Sequence, residues 1–251
     1  MSRDLIATLA MYDRAETAPA NDAFWSAIRA ALGDGPAALT RGDDLWALWQ
    51  SPDLLLGQTC GLPFRARLHG HVTLVGTPDY GLPGCAPGYY NSVFVARDDT
   101  PLTARKGQRF AYNEPLSQSG WAAPALHMQA LGITPGAFSQ TGAHRASARA
   151  VAEGHADFAA LDALSWAMIR AHDPFAADLH VIDATAPTPG LPFITALGRD
   201  PAPLRAAITT AINTLPDAHR SALHLRGLTT ISEQDYLAMP TPPPPASPSN
   251  R

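Results

Sequence analysis

The stretch AYNEPLSQSGWAAP, Ala111 to Pro124, decides the fold. It joins an aromatic run, RFAYN (109–113), to an apolar, alanine-rich run, GWAAPALHMQALG (120–132). The first reads as a short strand and the second as a helix closed at Gly132. Between them stand two serines, a glutamine and a glycine. A serine ahead of a helix accepts from the unpaired N–H groups of its first turn, so each serine alone reads first as an N-cap. Two hydroxyls and a glycine that admits close approach also make an oxyanion cradle at the positive end of a helix. Strand, polar turn and helix together form the repeating unit of an α/β fold.

The same alternation continues on both sides. Towards the N-terminus, LIATLAMY reads as a buried strand, NDAFWSAIRAALG as a helix with Asn21 as N-cap and Gly33 as C-cap, and PAALTRG as a short strand. DDLWALWQSPD is a short helix stopped before Pro52, and LLLGQTCG, HVTLVGTPDYG and YYNSVFVARDD read as strands. Towards the C-terminus come the helix HRASARAVAEG, the strand ADFAALD, a helix through Ile169, and the strands LHVIDAT and LPFITALG. Helices APLRAAITTAINTLP, DAHRSALHL and SEQDYLAM follow, then the tail PTPPPPASPSNR, which reads as polyproline-like and disordered. This predicts an α/β fold with largely parallel sheets, and about ten strands suit two sheets better than one.

Composition narrows the function. The chain has 251 residues, 46% of them hydrophobic and 16% charged, enough for one large domain or two lobes with ample core. A net charge of −4, with Lys106 as the sole lysine, leaves no basic footprint for nucleic acid. No segment reaches the ~18 consecutive apolar residues of a membrane span, so no membrane insertion is expected. The opening MSRDLIATLAMYDRAE lacks the pattern of a signal peptide; a cytoplasmic protein is expected as the sequence stands, a periplasmic one if a leader has been removed. Cys60 and Cys85, each beside a Gly/Pro turn, are too few for a disulfide scaffold or a metal site; they read as reduced thiols in a cytosolic protein and as open to bridging in an oxidising environment.

In open α/β sheets ligands bind at the carboxyl ends of strands. The exits so placed offer Tyr12 and Asp13; Gln58, Thr59 and Cys60; Thr77, Asp79 and Tyr80; Asn113, Ser117, Gln118 and Ser119; and Asp162. His144 opens a helix. Each has an ordinary structural use as well: Tyr12 and Tyr80 as packing residues, Asp162 as the cap of the next helix, and Asp13 as a turn cap. Their joint placement at strand ends raises them as a ligand set.

YNEPLSQSGW, followed by GAHRASARAVAEGHADFAALDA, resembles the phosphate/phosphonate-binding proteins of ABC importers. The resemblance runs over residues 5–239 and includes PDLLLGQTCG and GLPFITALGRDP. It implies a two-lobed type 2 periplasmic-binding-protein fold with two crossovers. Lobe one would be residues 1–88 plus 190–240, lobe two 89–189, and 241–251 a disordered proline-rich tail. It further implies that a small oxyanion-bearing ligand, a phosphonate or phosphate ester, binds in the cleft between the lobes, with an ABC-transporter permease as partner. On that resemblance Ser117, Gln118, Ser119 and His144 are oxyanion donors, and Tyr12, Gln58, Thr59, Cys60 and Tyr80 are contacts from the other lobe. Asp162 would meet a cationic or hydroxyl group. Gln118 stands where phosphonate binders of this family carry a hydroxyl residue.

Two other classes compete with a binding protein. A cytosolic enzyme of the same fold would draw an acid/base or nucleophilic set from His144, Asp162 and Cys60, which requires them within hydrogen-bond reach of one another. A cytosolic sensor would report occupancy through the proline-rich tail. No G-x-G-x-x-G, P-loop or metal-ligand spacing occurs, so no cofactor and no catalytic residue is expected.

Overall fold

A computed structural model describes residues 5–42 and 44–245. In chain order the elements begin with β1 (Ile6–Ala7), α1 (Ala18–Leu32), α2 (Leu45–Trp49), β2 (Leu54–Gln58), α3 (Gly61–Pro63) and β3 (Val72–Asp79). Next come β4 (Tyr89–Tyr90), β5 (Ser92–Ala96), β6 (Arg109–Tyr112), α4 (Ala123–Ala130), β7 (Ala137–Gln140), α5 (His144–Ala152) and β8 (Phe158–Asp162). The remainder is α6 (Ala163–His172), β9 (His180–Ala184), β10 (Thr188–Pro189), β11 (Phe193–Ala196), α7 (Pro201–Thr214), α8 (Asp217–Ala222), β12 (Gly227–Thr229) and α9 (Glu233–Leu237). The chain forms two compact units. One comprises residues up to Tyr89 together with Pro189–Ala238; the other comprises Tyr90–Thr188 and residues from Met239 onward.

Unit one is built on a sheet of order β1-β2-β11-β3-β12. All five residues of β2 are buried, as expected of a central strand covered on both faces. On one face lies a cluster that includes Phe24, Trp25 and Ile28 of α1 with Ile208, Ala211 and Ile212 of α7. The other face carries Trp49, Phe64, Leu68 and Tyr236. Helix α1 ends as the sequence predicts, with Gly33 at φ 78°, a left-handed position, and its N–H bonded to the Arg29 carbonyl. Its start differs. The helix begins at Ala18, with Pro19 in its first turn, so Asn21 lies inside it, buried, donating to Asp13 Oδ1 at 2.9 Å. Pro19, with its preset φ, takes the opening turn that was expected to start at Asn21.

Unit two is built on a sheet of order β7-β6-β8-β5-β9. Here β8 is the fully buried strand. Phe94, Phe110, Phe158, Trp121 and Met128 fill one face, and Val95, Leu161, Val151, Trp166 and Ile169 the other. Phe110 and Phe158 meet at 5.1 Å between ring centres.

The sheets are mixed, which corrects the expectation of largely parallel pairing. β1 pairs with β2, and β6 with β7 and β8, in parallel. β11 is antiparallel to β2 and β3, and β5 to β8 and β9. β12 is antiparallel to β3, and two of the strands that break the parallel pattern, β5 and β11, follow the crossings at Tyr89/Tyr90 and Thr188/Pro189. A strand entering a unit from the other one need not follow the βαβ connection that makes neighbours parallel. The expected strand over 36–42 is irregular backbone that gives β1 one bond, Thr40 N–H to Ala7 O at 2.7 Å. β7, which no sequence signal announced, is a half-exposed edge strand beside β6.

The tail also departs from expectation. Thr241–Pro245 are placed, with the Pro243 carbonyl accepting from Trp121 Nε1 at 3.0 Å; residues 246–251 lie outside the described residues. Cys60 is buried and Cys85 half-buried. Among the described residues no helix is long and apolar enough to cross a membrane, and no group of three His, Cys, Asp or Glu is placed to hold a metal.

Candidate functional site

In unit two the donor set sits where β6 gives way to helix. Ser117 is the N-cap: it is extended (φ −90°, ψ 128°), and its Oγ accepts from Gly120 N at 2.9 Å. A π-helical turn, Gln118–Ala122, follows and runs directly into α4. The N–H groups of Trp121 and Ala122 both bond to the Ser117 carbonyl, at 3.2 and 3.0 Å, so the turn is wider than an α-helical one. Ser117, Gln118 and Ser119 are buried.

His144, the first residue of α5, reaches the same place. Its Nε2 lies 3.1 Å from Ser119 Oγ, the donor depending on the tautomer. Burial lowers its pKa to about 4, opposed weakly by the Ala160 backbone, so at neutral pH the imidazole is uncharged. Its other nitrogen, Nδ1, is buried and, beyond that backbone contact, without a hydrogen-bond partner. Next to it in sequence, Arg145 Nε bonds to Asp173 Oδ1 at 2.6 Å, and Asp173 is itself buried. That ion pair ties the start of α5 to the segment after α6.

Asn113 completes the set and was not singled out in the sequence beyond its position at a strand exit. Its Oδ1 is buried and unpartnered and lies against Gly120, where a Cβ would come within 1.8 Å of it. Asp162, in contrast, spends Oδ1 on Ser165 N at 2.8 Å, capping α6. Among the bonds found for the residues of the enzyme reading, Asp162 bonds to Ser165 and His144 to Ser119.

Unit one gathers its own polar group at the strand ends. Gln58 Nε2 donates to the Tyr80 hydroxyl at 2.9 Å and to the Leu191 carbonyl at 3.2 Å. Tyr12 and Tyr80 meet edge to face at 5.2 Å. With Asn21, Phe24 and Phe193 these residues line a cavity of about 20 Å³, room for one water. Cys60 is buried at the head of α3 and makes no cap bond there. The hydroxyls of Thr59 and Thr8 are buried without partners. Thr8 was missed: inside LIATLAMY a β-branched threonine reads as strand filling, and only its burial without a bond distinguishes it.

Among the described residues, five buried side-chain polar atoms lack a partner, on Thr8, Thr59, Asn113, His144 and Arg199. Four of them stand at strand exits or at the helix start beside one. Orphaned buried polar groups are rare because each costs about 1–3 kcal/mol, so their concentration at these places makes them candidates for ligand contact. In unit two the chemistry is that of a neutral cradle: hydroxyls, an imidazole, carboxamides and a helix N-terminus, able to hold an oxyanion by hydrogen bonds.

Comparison with known proteins gives a family and a fold. The sequence model of a family described as ABC transporter, phosphonate, periplasmic substrate-binding protein matches residues 56–236. No curated protein sequence matches. Among solved structures, PhnD1 from Prochlorococcus marinus in complex with methylphosphonate superposes with a TM-score of 0.73 at 16% identity, over 92% of this chain and 93% of that one. A binding-protein component of an ABC phosphonate transporter from Pseudomonas aeruginosa gives 0.71 at 16% identity, over 92% and 82%. XAC2383 from Xanthomonas citri, bound to chloride, gives 0.64 at 16% identity, over 88% and 90%. At such identities the likeness is one of fold, the mixed α/β architecture of periplasmic binding proteins. With 181 of 251 residues covered by the family's own pattern, the chain belongs to the periplasmic phosphonate substrate-binding proteins of ABC transporters.

Proposed function

We propose that this protein binds a small phosphonate, or a phosphate-type oxyanion of the same shape, for delivery to an ABC-transporter permease. Ser117, Gln118, Ser119 and His144 hold the oxyanion at the N-terminus of the helical run that opens at Gln118. The observation that carries this reading is the Ser119–His144 pair at 3.1 Å, with the buried Asn113 Oδ1 against Gly120 of the same turn. Whichever tautomer His144 adopts, the pair has one O–H or N–H to turn towards an oxyanion, and Asn113 Oδ1, an acceptor, suits a protonated oxygen of the ligand. Cradles of neutral groups suit a ligand whose charge sits on tetrahedral oxygens, since helix N-terminal N–H groups supply directed donors without a lysine.

Calorimetric titration with methylphosphonate, phosphate, phosphite and sulfate tests this. At least one tetrahedral anion should bind, and at 100 times its Kd it should stabilise the fold by about 2.7 kcal/mol, raising Tm by roughly 5–10 °C. Each charge-assisted hydrogen bond is worth about 1.5–3 kcal/mol, so Ser119→Ala and His144→Ala should each weaken binding about 10- to 100-fold. Absence of binding by every tetrahedral anion, in a folded protein, would sink the proposal. Ser117→Ala should in addition cost about 1 kcal/mol of stability, because that serine also caps the turn.

A further inference from the structure

Trp121 lies inside the turn that carries the oxyanion donors, and its one polar atom is satisfied from far along the chain. The indole is buried between Tyr112 at the end of β6 and Phe138 of β7, at centroid distances of 5.5 and 5.6 Å. A buried indole N–H needs an acceptor. It finds the carbonyl of Pro243, 122 residues away in sequence, at 3.0 Å.

The segment that supplies the acceptor is suited to that use. Four successive prolines, Pro242–Pro245, have no N–H groups, so their carbonyls are left without donors in their own run. Proline also presets an extended helix, which lowers the entropy lost when such a segment docks on an aromatic surface. The chain enters the segment from a fixed point. In α9 the Tyr236 hydroxyl donates to Gly190 O at 3.0 Å and lies 2.7 Å from Thr77 Oγ1, and Ser232 and Asp235 form a capping box. α9 belongs to unit one, whereas residues from Met239 belong to unit two. Thr241 and Pro240 have partners as well.

We propose that Met239–Pro245 is a strap that docks on Trp121 and fixes the turn Gln118–Ala122, making Trp121 a positioning residue for the oxyanion site. The proposal rests on the reading of that turn as the ligand cradle. The indole is two residues from Ser119 and three from Gln118, so freeing it loosens the two donors that the turn aims. Because coupling free energy is reciprocal, a bound anion tightens the strap as much as the strap tightens the anion.

Three proteins test the strap: the full chain, Trp121→Phe, and a chain ending at Ala238. Phenylalanine keeps the ring packing and removes the donor. Methylphosphonate affinity is measured by calorimetry, and protection of the Ser119–Ala122 amides by hydrogen exchange, with and without that anion. Both variants are expected to lose about tenfold in affinity and to exchange these amides at least tenfold faster, while amides of β8 keep their protection. Combining the two changes should do no more than either alone, since both remove one contact. Unchanged exchange at Ser119–Ala122 in both variants, or fully additive effects, would overturn the strap. If the shortened chain fails to fold, Trp121→Phe and Pro243→Gly/Pro244→Gly give the same readouts. If methylphosphonate fails to bind the full chain, the functional reading is what falls, and the exchange measured without anion still decides the strap.

Discussion

Gly120→Ala is expected to abolish anion binding, weakening it more than 100-fold, and to destabilise the protein by about 1–3 kcal/mol. The reason is space, not backbone freedom: among the glycines of this protein with a positive φ, Gly120 is absent. A Cβ there would stand 1.8 Å from Asn113 Oδ1, 2.8 Å from its Cγ and 3.2 Å from Ser117 Oγ. Either Asn113 swings out or the turn opens, and both disrupt the cradle: the first removes a buried polar atom facing the site, the second breaks the Ser117 Oγ bond to Gly120 N. Urea unfolding and calorimetry on Gly120→Ala and on Gly120→Ala/Asn113→Ala separate these effects. Removing the Asn113 carboxamide relieves the contact, so the double variant should regain most of the stability. If Asn113 also serves the ligand, binding stays impaired by about tenfold, the value of one neutral hydrogen bond or slightly more. Wild-type affinity in Gly120→Ala would show that the turn is not the binding element.

The Ser117 cap was legible because its context is local: a β-favouring run, hydroxyls, then an apolar helical run, all within a dozen residues. Gly33 was legible for the same reason, since a left-handed helix end needs little beyond glycine at the right offset. What could not be read depends on parts of the chain that meet only after folding. The direction of β5 and β11 follows from where the chain re-enters a unit, which leaves no mark on the strands' own residues. Asn21 looks like a cap from its neighbours, yet the helix opens earlier, at Ala18–Pro19, and Asn21 donates instead to Asp13, eight residues before it. Asn113 gains meaning through contact with Gly120, and a polyproline tail reads as disordered until Trp121 is seen to need an acceptor. Asp162 shows the other side of this. A carboxylate at a strand exit suits a ligand or a cap equally in sequence, and the folded chain shows one of these uses, the bond from Ser165 N to Oδ1.

His144 should make stability fall as the solution is acidified. Its folded-state pKa is lowered from the ordinary 6.5 to about 4, chiefly by burial. A histidine with a depressed pKa is neutral in the folded protein while the unfolded chain takes up a proton, so stability rises with pH across the interval between the two values. Stability attributable to the neutral imidazole is therefore complete above about pH 6.5 and is lost as pH falls towards 4. The full shift would correspond to about 3 kcal/mol, and partial exposure of the residue reduces the expected effect to about 2 kcal/mol. Urea unfolding of the wild type and His144→Asn at pH 7.5 and 4.5 isolates this histidine: the wild type should lose about 2 kcal/mol more than the variant. Equal losses would refute the assignment. The same neutral imidazole shapes binding. An anion beside it favours its protonated form and raises its pKa. At pH 7.5 binding should then take up no proton at His144, whereas near pH 5 it should, and titrations in buffers of different ionisation enthalpy read that uptake directly. Holding the oxyanion with an uncharged ring at neutral pH leaves affinity dependent on the direction of hydrogen bonds more than on net charge, and so on the tetrahedral shape of the ligand.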